Sequence, residues 1–422
     1  MTKPEELPRL RVVTREVGAV DDVLSFASPA SPAFWSRRGD ALAACGESMA
    51  FTRIGPGFDL GAQWRALVAK ATIDDPVRLP GTGLIAFGAL AFDPRSDTPS
   101  TFSVPSVVVG RRGSRSWLTR ISLPDDVADG DPVLPDRAPY GAYWSANLGP
   151  GALNPSDYQA AVRGGLDAIA TGEVSKVVLA RDLVGSVPAG SDLRRLVRAL
   201  ASGYPDCWAY AVDGIIGASP ETLVTVSGGT VTARVLAGTA PRGADADADT
   251  AASLALATSA KDQDEHLYAV QSVLAALRPH TSALAASEQP FTLKLPNVFH
   301  LATDVEGELN GGASALDLVA ALHPTAAVAG TPTDAALDLI RRLEPFDRGR
   351  YAGPVGWVDA NGDGEWAIAL RCAQFDLDGS RDGRNAIPLR AHAGAGIVAG
   401  SDPEAELLET RVKFRPIVDA LA

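Results

Sequence analysis

The stretch HAGAGIVAGSDPEAELLETRVK, His392 to Lys413, decides how the rest of the chain is read. Its first half carries Gly394, Gly396 and Gly400. It reads as a glycine-rich turn whose backbone approaches a ligand closely or takes positive φ. A helix starts next. Ser401 with Glu404 fits a capping box, or Asp402 caps and Pro403 takes the first helical position. On that helix Glu406, Glu409 and Lys413 follow at i, i+3 and i+7 and share one face. Backbone N–H groups beside a helix N-terminus attract an anion. A carboxylate pair one turn away suits a hard cation. The pattern points to an anionic substrate held through a metal ion. One competing reading is a plain i,i+4 surface pair between Glu409 and Lys413. Another is a dinucleotide fingerprint in Gly394, Gly396 and Ala399. That fingerprint is not expected here, because it requires a βαβ unit with an acidic residue about 20 positions on.

The totals bound the answer. A chain of 422 residues has the length of one large domain or of two to three ordinary ones. The net charge of −13, with no basic run, speaks against nucleic acid as a partner. The cysteines, Cys45, Cys207 and Cys372, are far apart and not in metal-ligand spacing, as expected of a reducing cytoplasm. The opening MTKPEELPRLRVV lacks the apolar core of a signal peptide. The longest apolar run, Gly81–Phe92, is too short and too rich in glycine to span a bilayer. A cytoplasmic protein without membrane or nucleic-acid partners is expected.

In the first third, strands are expected at RLRVV (9–13), Ser48–Ile54, Gly83–Phe92, Ser103–Val109 and Ser116–Ile121, with a helix at Trp64–Ala71. Residues 1–145 thus form a β-rich portion without visible chemistry. Pro124–Tyr143 reads as a connector. Residues 150–422 carry the candidate site. There, helices are expected at Tyr158–Ala170, Ser191–Leu200, Ala315–Leu322 and Thr333–Arg342. One long helix covers Ala251–Leu277, after an exposed loop at Ala244–Asp249. Strands are expected at Val174–Leu183, Phe291–Leu295 and Val298–Val305. Hairpins are expected at Trp208–Val212 with Gly214–Ala218, Thr222–Val226 with Thr230–Leu236, and Gly356–Asp359 with Trp366–Phe375. The turn DANGDGE in the last hairpin opens like a calcium loop. Its twelfth position is Leu370 where a glutamate is needed, so it reads as a hairpin turn with acidic tips. Helices and strands interleave without a strict βαβ repeat, which favours an α+β fold with large antiparallel sheets.

Lys176 lies inside a strand between Val174 and Val178 on its own face. Burial there disfavours a charged amine and suits it to act as a general base; a solvent-facing edge lysine is the bland alternative. Glu221, in GASPETLV, is a candidate general acid or a turn carboxylate. Glu265 and His266 lie on the long helix. Glu265 is available as a metal ligand, with Asp262 nearby, or as the ion-pair partner of Lys261. No histidine stands in a zinc pattern. An oxygen-ligated ion, Mg²⁺, fits better.

Taken together these stretches resemble the chorismate-utilising enzymes, and among them the isochorismate synthases. The resemblance rests on KVVLAR (176–181), GASPE (217–221), LAGTAPRG (236–243), KDQDEH (261–266), FHLATDVEGEL (299–309), LHPTAAVAGTP (322–332), EPFDRGRYAGPVGW (344–357), ALRCA (369–373) and GAGIVAGSDPEAELLET (394–410), in family order. The first third is similar mainly in GLIAFGALAFDP. The resemblance implies an anthranilate-synthase-like α+β fold, with two large, mostly antiparallel sheets packed together and helices outside. It implies a Mg²⁺-dependent isomerase that converts chorismate to isochorismate, as in menaquinone or siderophore synthesis. By the same resemblance Lys176 is the base that activates water, and Glu221 is the acid for the departing 4-hydroxyl. Glu265 and Glu409 hold Mg²⁺, with Glu406 adjacent. Tyr351 and Arg371 grip the enolpyruvyl carboxylate, and Lys413 adds a cationic contact. Gly238, Thr239, His300, Gly394 and Gly396 complete the pocket. Ala240 departs from the arginine often found after AGT. Ala327 stands where salicylate synthases, which go on to expel pyruvate, tend to carry threonine. Ala237 stands where aminodeoxychorismate synthases often carry a nucleophilic lysine. Salicylate synthase and anthranilate synthase component I are the alternatives within the family. A non-catalytic chorismate-binding subunit is the alternative outside enzymes. A monomer or weak dimer is expected.

Overall fold

The longest ladder in the molecule joins the strand Lys176–Pro188 to the strand Ala386–Val398, antiparallel, with Val178 opposite Gly396 and Ala180 opposite Gly394. The computed structural model describes residues 7–53, 59–124, 130–294, 298–377 and 385–422. Ile54, Leu295 and residues 125–129, the ends of two expected strands and part of the expected connector, lie outside the described residues. Around the long ladder grows a 13-stranded sheet, and a 10-stranded sheet packs against it. Among the described residues all pairings are antiparallel except that of Arg11–Val17 with Thr72–Asp74. The architecture is α+β. Trp35 and Trp117 from the larger sheet share one core with Phe102, Trp357 and Trp366 from the smaller. Helices cover the outside: Leu196 and Leu200 of the helix Arg194–Gly203, and Ile417 and Leu421 of the helix Pro403–Leu421, pack on Ala373, Phe375 and Ala391. Among the described residues no helix is long and apolar enough to cross a membrane.

The β-rich first third adds strands to both sheets. Met49–Arg53, Ile85–Ala89 and Ser100–Val104 extend the smaller one, and Ala33–Arg37, Asp40–Cys45 and Val107–Arg112 are among those that extend the larger. The hairpin Ala33–Cys45 is not evident in the sequence; its turn is set by Arg38 and Gly39, both at positive φ. The expected strand Ser103–Val109 is two strands in different sheets, split at Pro105, which cannot donate to a ladder.

Three further expectations are corrected. The long helix is two helices, Ala246–Thr258 and Ala260–Leu277, broken at Ser259, whose side chain caps the second by accepting from the Asp262 N–H. The expected loop Ala244–Asp249 is helical from Ala246, and Asp249 is buried against Arg242. Asp359, read as an acidic tip of the hairpin turn, is fully buried. Its carboxylate accepts the N–H groups of Gly81 and Asn361 and so organises the turn.

Twice in the last two-thirds the chain passes directly from one sheet to the other. Ile215–Ser219 belongs to the larger sheet and Thr222–Ser227 to the smaller, with Pro220–Glu221 at the switch. Gly364–Ile368 belongs to the smaller and Cys372–Phe375 to the larger, with Ala369–Arg371 at the switch. The two switches lie side by side. The Ala218 N–H donates to the Arg371 carbonyl, and the Ile368 N–H donates to the Glu221 carbonyl. Glu221 and Arg371 therefore stand where the two sheets diverge.

Candidate active site

A cavity of about 240 Å³ opens at this divergence. Ligand pockets typically measure roughly 300–1,000 Å³, so this one suits a single small ring. The residues to which the resemblance gives a role in catalysis, metal binding or the pocket line it: Lys176, Glu221, Gly238, Thr239, Glu265, His300, Ala327, Tyr351, Arg371, Gly394, Gly396, Glu406, Glu409 and Lys413. Both sheets and two helices supply them, from segments spread over more than half of the chain.

Lys176 begins the long strand, and its Nζ lies 2.6 Å from Glu265 Oε1 on the helix Ala260–Leu277. The partner of Glu265 is thus this strand lysine and not Lys261, which lines the same cavity and is exposed. Glu221 is buried. Desolvation pushes its pKa up to about 7, against the opposing charges of Lys176, Lys413 and Arg371. A carboxyl so placed carries a proton near neutral pH and can give it up.

The motif LAGT forms a β-bulge. The ladder between Thr230–Pro241 and Val298–Leu309 shifts register between Leu236 and Thr239, and Gly238 there has φ of +83°. A bulge re-aims side chains next to a site. Here Thr239 Oγ1 meets His300 Nδ1 at 2.9 Å. His300 Nε2 is buried without a partner among the described residues. Burial, followed by the charges of Arg371 and Lys413, drives the His300 pKa down to about 3, so the ring is neutral. His266 is bound behind the bulge, to the Ala237 carbonyl and Thr303 Oγ1.

The stretch His392–Lys413 is corrected in its first half and kept in its second. Gly394 and Gly396 are strand residues without positive φ; only Gly400, in the turn, has it, at +88°. Their partners Ala180 and Val178 send their own N–H groups to Glu344 and to the Ala329 carbonyl, so Gly394 and Gly396 are in non-hydrogen-bonded pairs and the ladder to Lys176–Pro188 does not take up their N–H groups. What their missing side chains provide is room. A Cβ on Gly396 would stand 3.2 Å from Lys176 Cε, and one on Gly394 would stand 2.7 Å from the Leu179 carbonyl oxygen. The helix Pro403–Leu421 starts with Asp402 as its cap, accepting from the N–H groups of Glu404 and Ala405. Glu406, Glu409 and Lys413 face the cavity together. Lys413 Nζ lies 2.6 Å from Glu409 Oε1 and donates to the Gly394 carbonyl at 2.9 Å. Burial and the neighbouring charge of Glu409 push Glu406 up to about 7. Among the described residues no three acid, histidine or cysteine side chains form a ready-made metal cluster.

Arg371 is 8% exposed and lines the cavity. Among the described residues its guanidinium has no hydrogen-bonded or ion-paired partner, and its backbone is left-handed, with φ of +49°. Ala352, on the same cavity, has φ of +63°. Such strain gathers at functional sites. Burial raises the Tyr351 pKa and keeps the phenol protonated. The Tyr351 ring stacks on His392, centroids 5.0 Å apart. Arg348 and Ala352 are cavity residues that sequence reasoning missed, although both stand in the quoted EPFDRGRYAGPVGW; only the spacing of Glu344 and Arg348 hinted at a pair.

The fold and the cavity define an enclosed small-molecule site in which lysines, an arginine and carboxyl groups converge. Residues 141–422 match the family described as "Chorismate binding enzyme", and the chain belongs to that family. It is 37% identical over 383 residues to isochorismate synthase DhbC of Bacillus subtilis, covering 87% of this chain and 94% of that one. The structure superposes on the menaquinone-specific isochorismate synthase MenF of Escherichia coli with a TM-score of 0.78 at 26% identity, covering 98% of this chain and 95% of that one. It also matches anthranilate synthase component I of Streptococcus pneumoniae, with a TM-score of 0.70 at 21% identity over 92% of each chain, which shows the shared fold.

Proposed function

We propose that this enzyme is an isochorismate synthase, converting chorismate to isochorismate with Mg²⁺. The observation that carries the reading is one cavity holding both an amine, Lys176, and a buried carboxyl, Glu221, that burial brings to about pKa 7. Lys176 takes a proton from water as its oxygen bonds to C2. The ring double bonds shift, and the C4–oxygen bond breaks as Glu221 protonates the departing hydroxyl. One water enters and one leaves. Arg371, buried and without an acid partner among the described residues, is suited to take a substrate carboxylate in two parallel hydrogen bonds. Tyr351 and the neutral His300 offer further polar contacts.

The donor set supports the metal. Asp262, Glu265, Glu406 and Glu409 line one cavity and present only oxygen, as a hard cation prefers. The raised pKa of Glu406 marks a place short of positive charge. Glu265 and Glu409, with Glu406 alongside, would hold Mg²⁺, which supplies positive charge for the ring carboxylate. Glu265 is the contact of Lys176 Nζ, at 2.6 Å, so the proposed ligand role of Glu265 and the proposed base role of Lys176 are linked through one side-chain pair.

Ala327 presents a methyl group to the cavity and no hydrogen-bond donor, which favours release of isochorismate with its enolpyruvyl tail intact over salicylate formation. The test is to incubate the pure protein with chorismate and Mg²⁺, with and without ammonia, and to identify the products. Isochorismate without pyruvate is expected under both conditions. Anthranilate with ammonia, or salicylate with pyruvate, would replace this reading.

A further inference from the structure

We propose that Glu344 and Arg348 are a positioning pair that fixes the distance between two walls of the catalytic cavity. The inference rests on the reaction proposed above only for its kinetic readout.

Both side chains are buried, 1% and 2% exposed, and they pair at i,i+4 just beyond the helix Thr333–Leu343. Arg348 Nε and Nη2 donate to the Glu344 carboxylate at 2.8 and 2.5 Å. The pair does more than neutralise itself. Arg348 Nη2 donates to the Val178 carbonyl at 2.6 Å, Arg348 Nη1 donates to the Val328 carbonyl at 3.0 Å, and Glu344 Oε1 accepts the Ala180 N–H at 2.7 Å. Val178 and Ala180 belong to the strand that starts with Lys176. Val328 follows Ala327 in the segment on the other side of the pair.

The backbone explains why side chains are needed there. The short strand Gly330–Thr331 pairs with Lys176 and Val177 and then ends. The Val178 N–H still finds the Ala329 carbonyl. Beyond it, the Val178 carbonyl and the Ala180 N–H on this edge are met by Arg348 and Glu344. The ion pair stands in for the missing strand. With these contacts made, Arg348 has little left to offer a substrate although it lines the cavity, so it acts through the backbone it holds. Swapping a buried ion pair for apolar residues of similar volume is often neutral or stabilising, whereas removing one partner is strongly destabilising. Stability alone is therefore a weak reason for this pair, and wall spacing is the stronger one.

The test uses the double variant Glu344→Leu with Arg348→Met, which leaves no uncompensated buried charge. The expected result is a folded protein whose thermal midpoint is close to that of the parent. Its kcat should fall by about 10²-fold, the scale of a misplaced reacting group, while KM for chorismate stays within about twofold because Arg371 is untouched. Amide hydrogen exchange should quicken in segments 176–182 and 325–331 and hold elsewhere. Arg348→Lys, which keeps the charge but loses the planar fork, should show the same pattern more weakly. Exchange reports on the walls whatever product the parent forms, so a failed isochorismate assignment leaves this test intact. Parental kcat or unchanged exchange in the folded double variant would overturn the proposal. So would a KM that rises in proportion to the loss of kcat/KM, or failure of both variants to fold, which would assign the pair to substrate binding or to stability.

Discussion

Two buried arginines line the same cavity and differ in every other respect. Arg348 is tied to a carboxylate and to two carbonyls. Arg371, also buried, has no such tie among the described residues and sits in a left-handed backbone conformation at a switch between sheets. Burying a cation without a partner costs free energy that a fold does not spend for its own stability. The contrast separates what builds the cavity from what waits for a ligand. It places Glu221 beside Arg371: a carboxyl that burial keeps near pKa 7 when a surface position would have left it an ordinary anion.

That contrast can be broken at several points. The largest effect is expected from removing the metal. In excess EDTA turnover of chorismate should stop and return with Mg²⁺, and Glu409→Gln should need far more Mg²⁺ for the same rate. Full activity in EDTA would remove the cation from the account. Next come the ligand-facing acid and base. Glu221→Gln and Lys176→Gln should each lose about 10²–10⁴-fold in kcat, the range of general acid–base catalysis, with no loss of thermal stability in the Glu221 variant. Calorimetry beside steady-state kinetics checks both halves.

The arginines themselves come third. Arg371→Met should cost about 2–5 kcal/mol in chorismate binding and leave the unfolding temperature unchanged or higher. The single change Arg348→Met, which strands Glu344, should cost about 3–5 kcal/mol of stability. If the two outcomes were exchanged, the distinction would be wrong.

The smallest effect is the pH dependence. Because the folded-state pKa of Glu221 lies above the ordinary carboxylate value, its burial costs nothing at pH below that ordinary range. Stability then falls as pH rises toward about 7. Activity should show an alkaline limb near the same pH, about tenfold per unit, as the acid loses its proton. The residual activity of Glu221→Gln should lack that limb.

Much of the site was legible in the sequence because its residues cluster in short local patterns. The spacing of Glu406, Glu409 and Lys413 sets a helix face, and the valines around Lys176 set a strand. What was not legible depends on which sheet a strand joins. Local pattern shows that Ile215–Ser219 and Thr222–Ser227 are strands; it does not show that they belong to different sheets, so the place of Glu221 at a switch stayed hidden. Arg371 lies inside what reads as one continuous strand, and its positive φ has no glycine to announce it. Gly394 and Gly396 misled for the opposite reason. Glycine suggests a turn, but here it clears space along a strand for Lys176 and for the neighbouring backbone. Glu344 and Arg348 look like an ordinary i,i+4 surface pair until the edge they cover is seen.

The most direct test of the central claim is to run the reaction in ¹⁸O-labelled water and examine the product by mass spectrometry and NMR. If Lys176 draws a proton from water while Glu221 releases the C4 hydroxyl, isochorismate will carry the heavy oxygen at C2. Isochorismate formed without label, or a product other than isochorismate, would contradict the account.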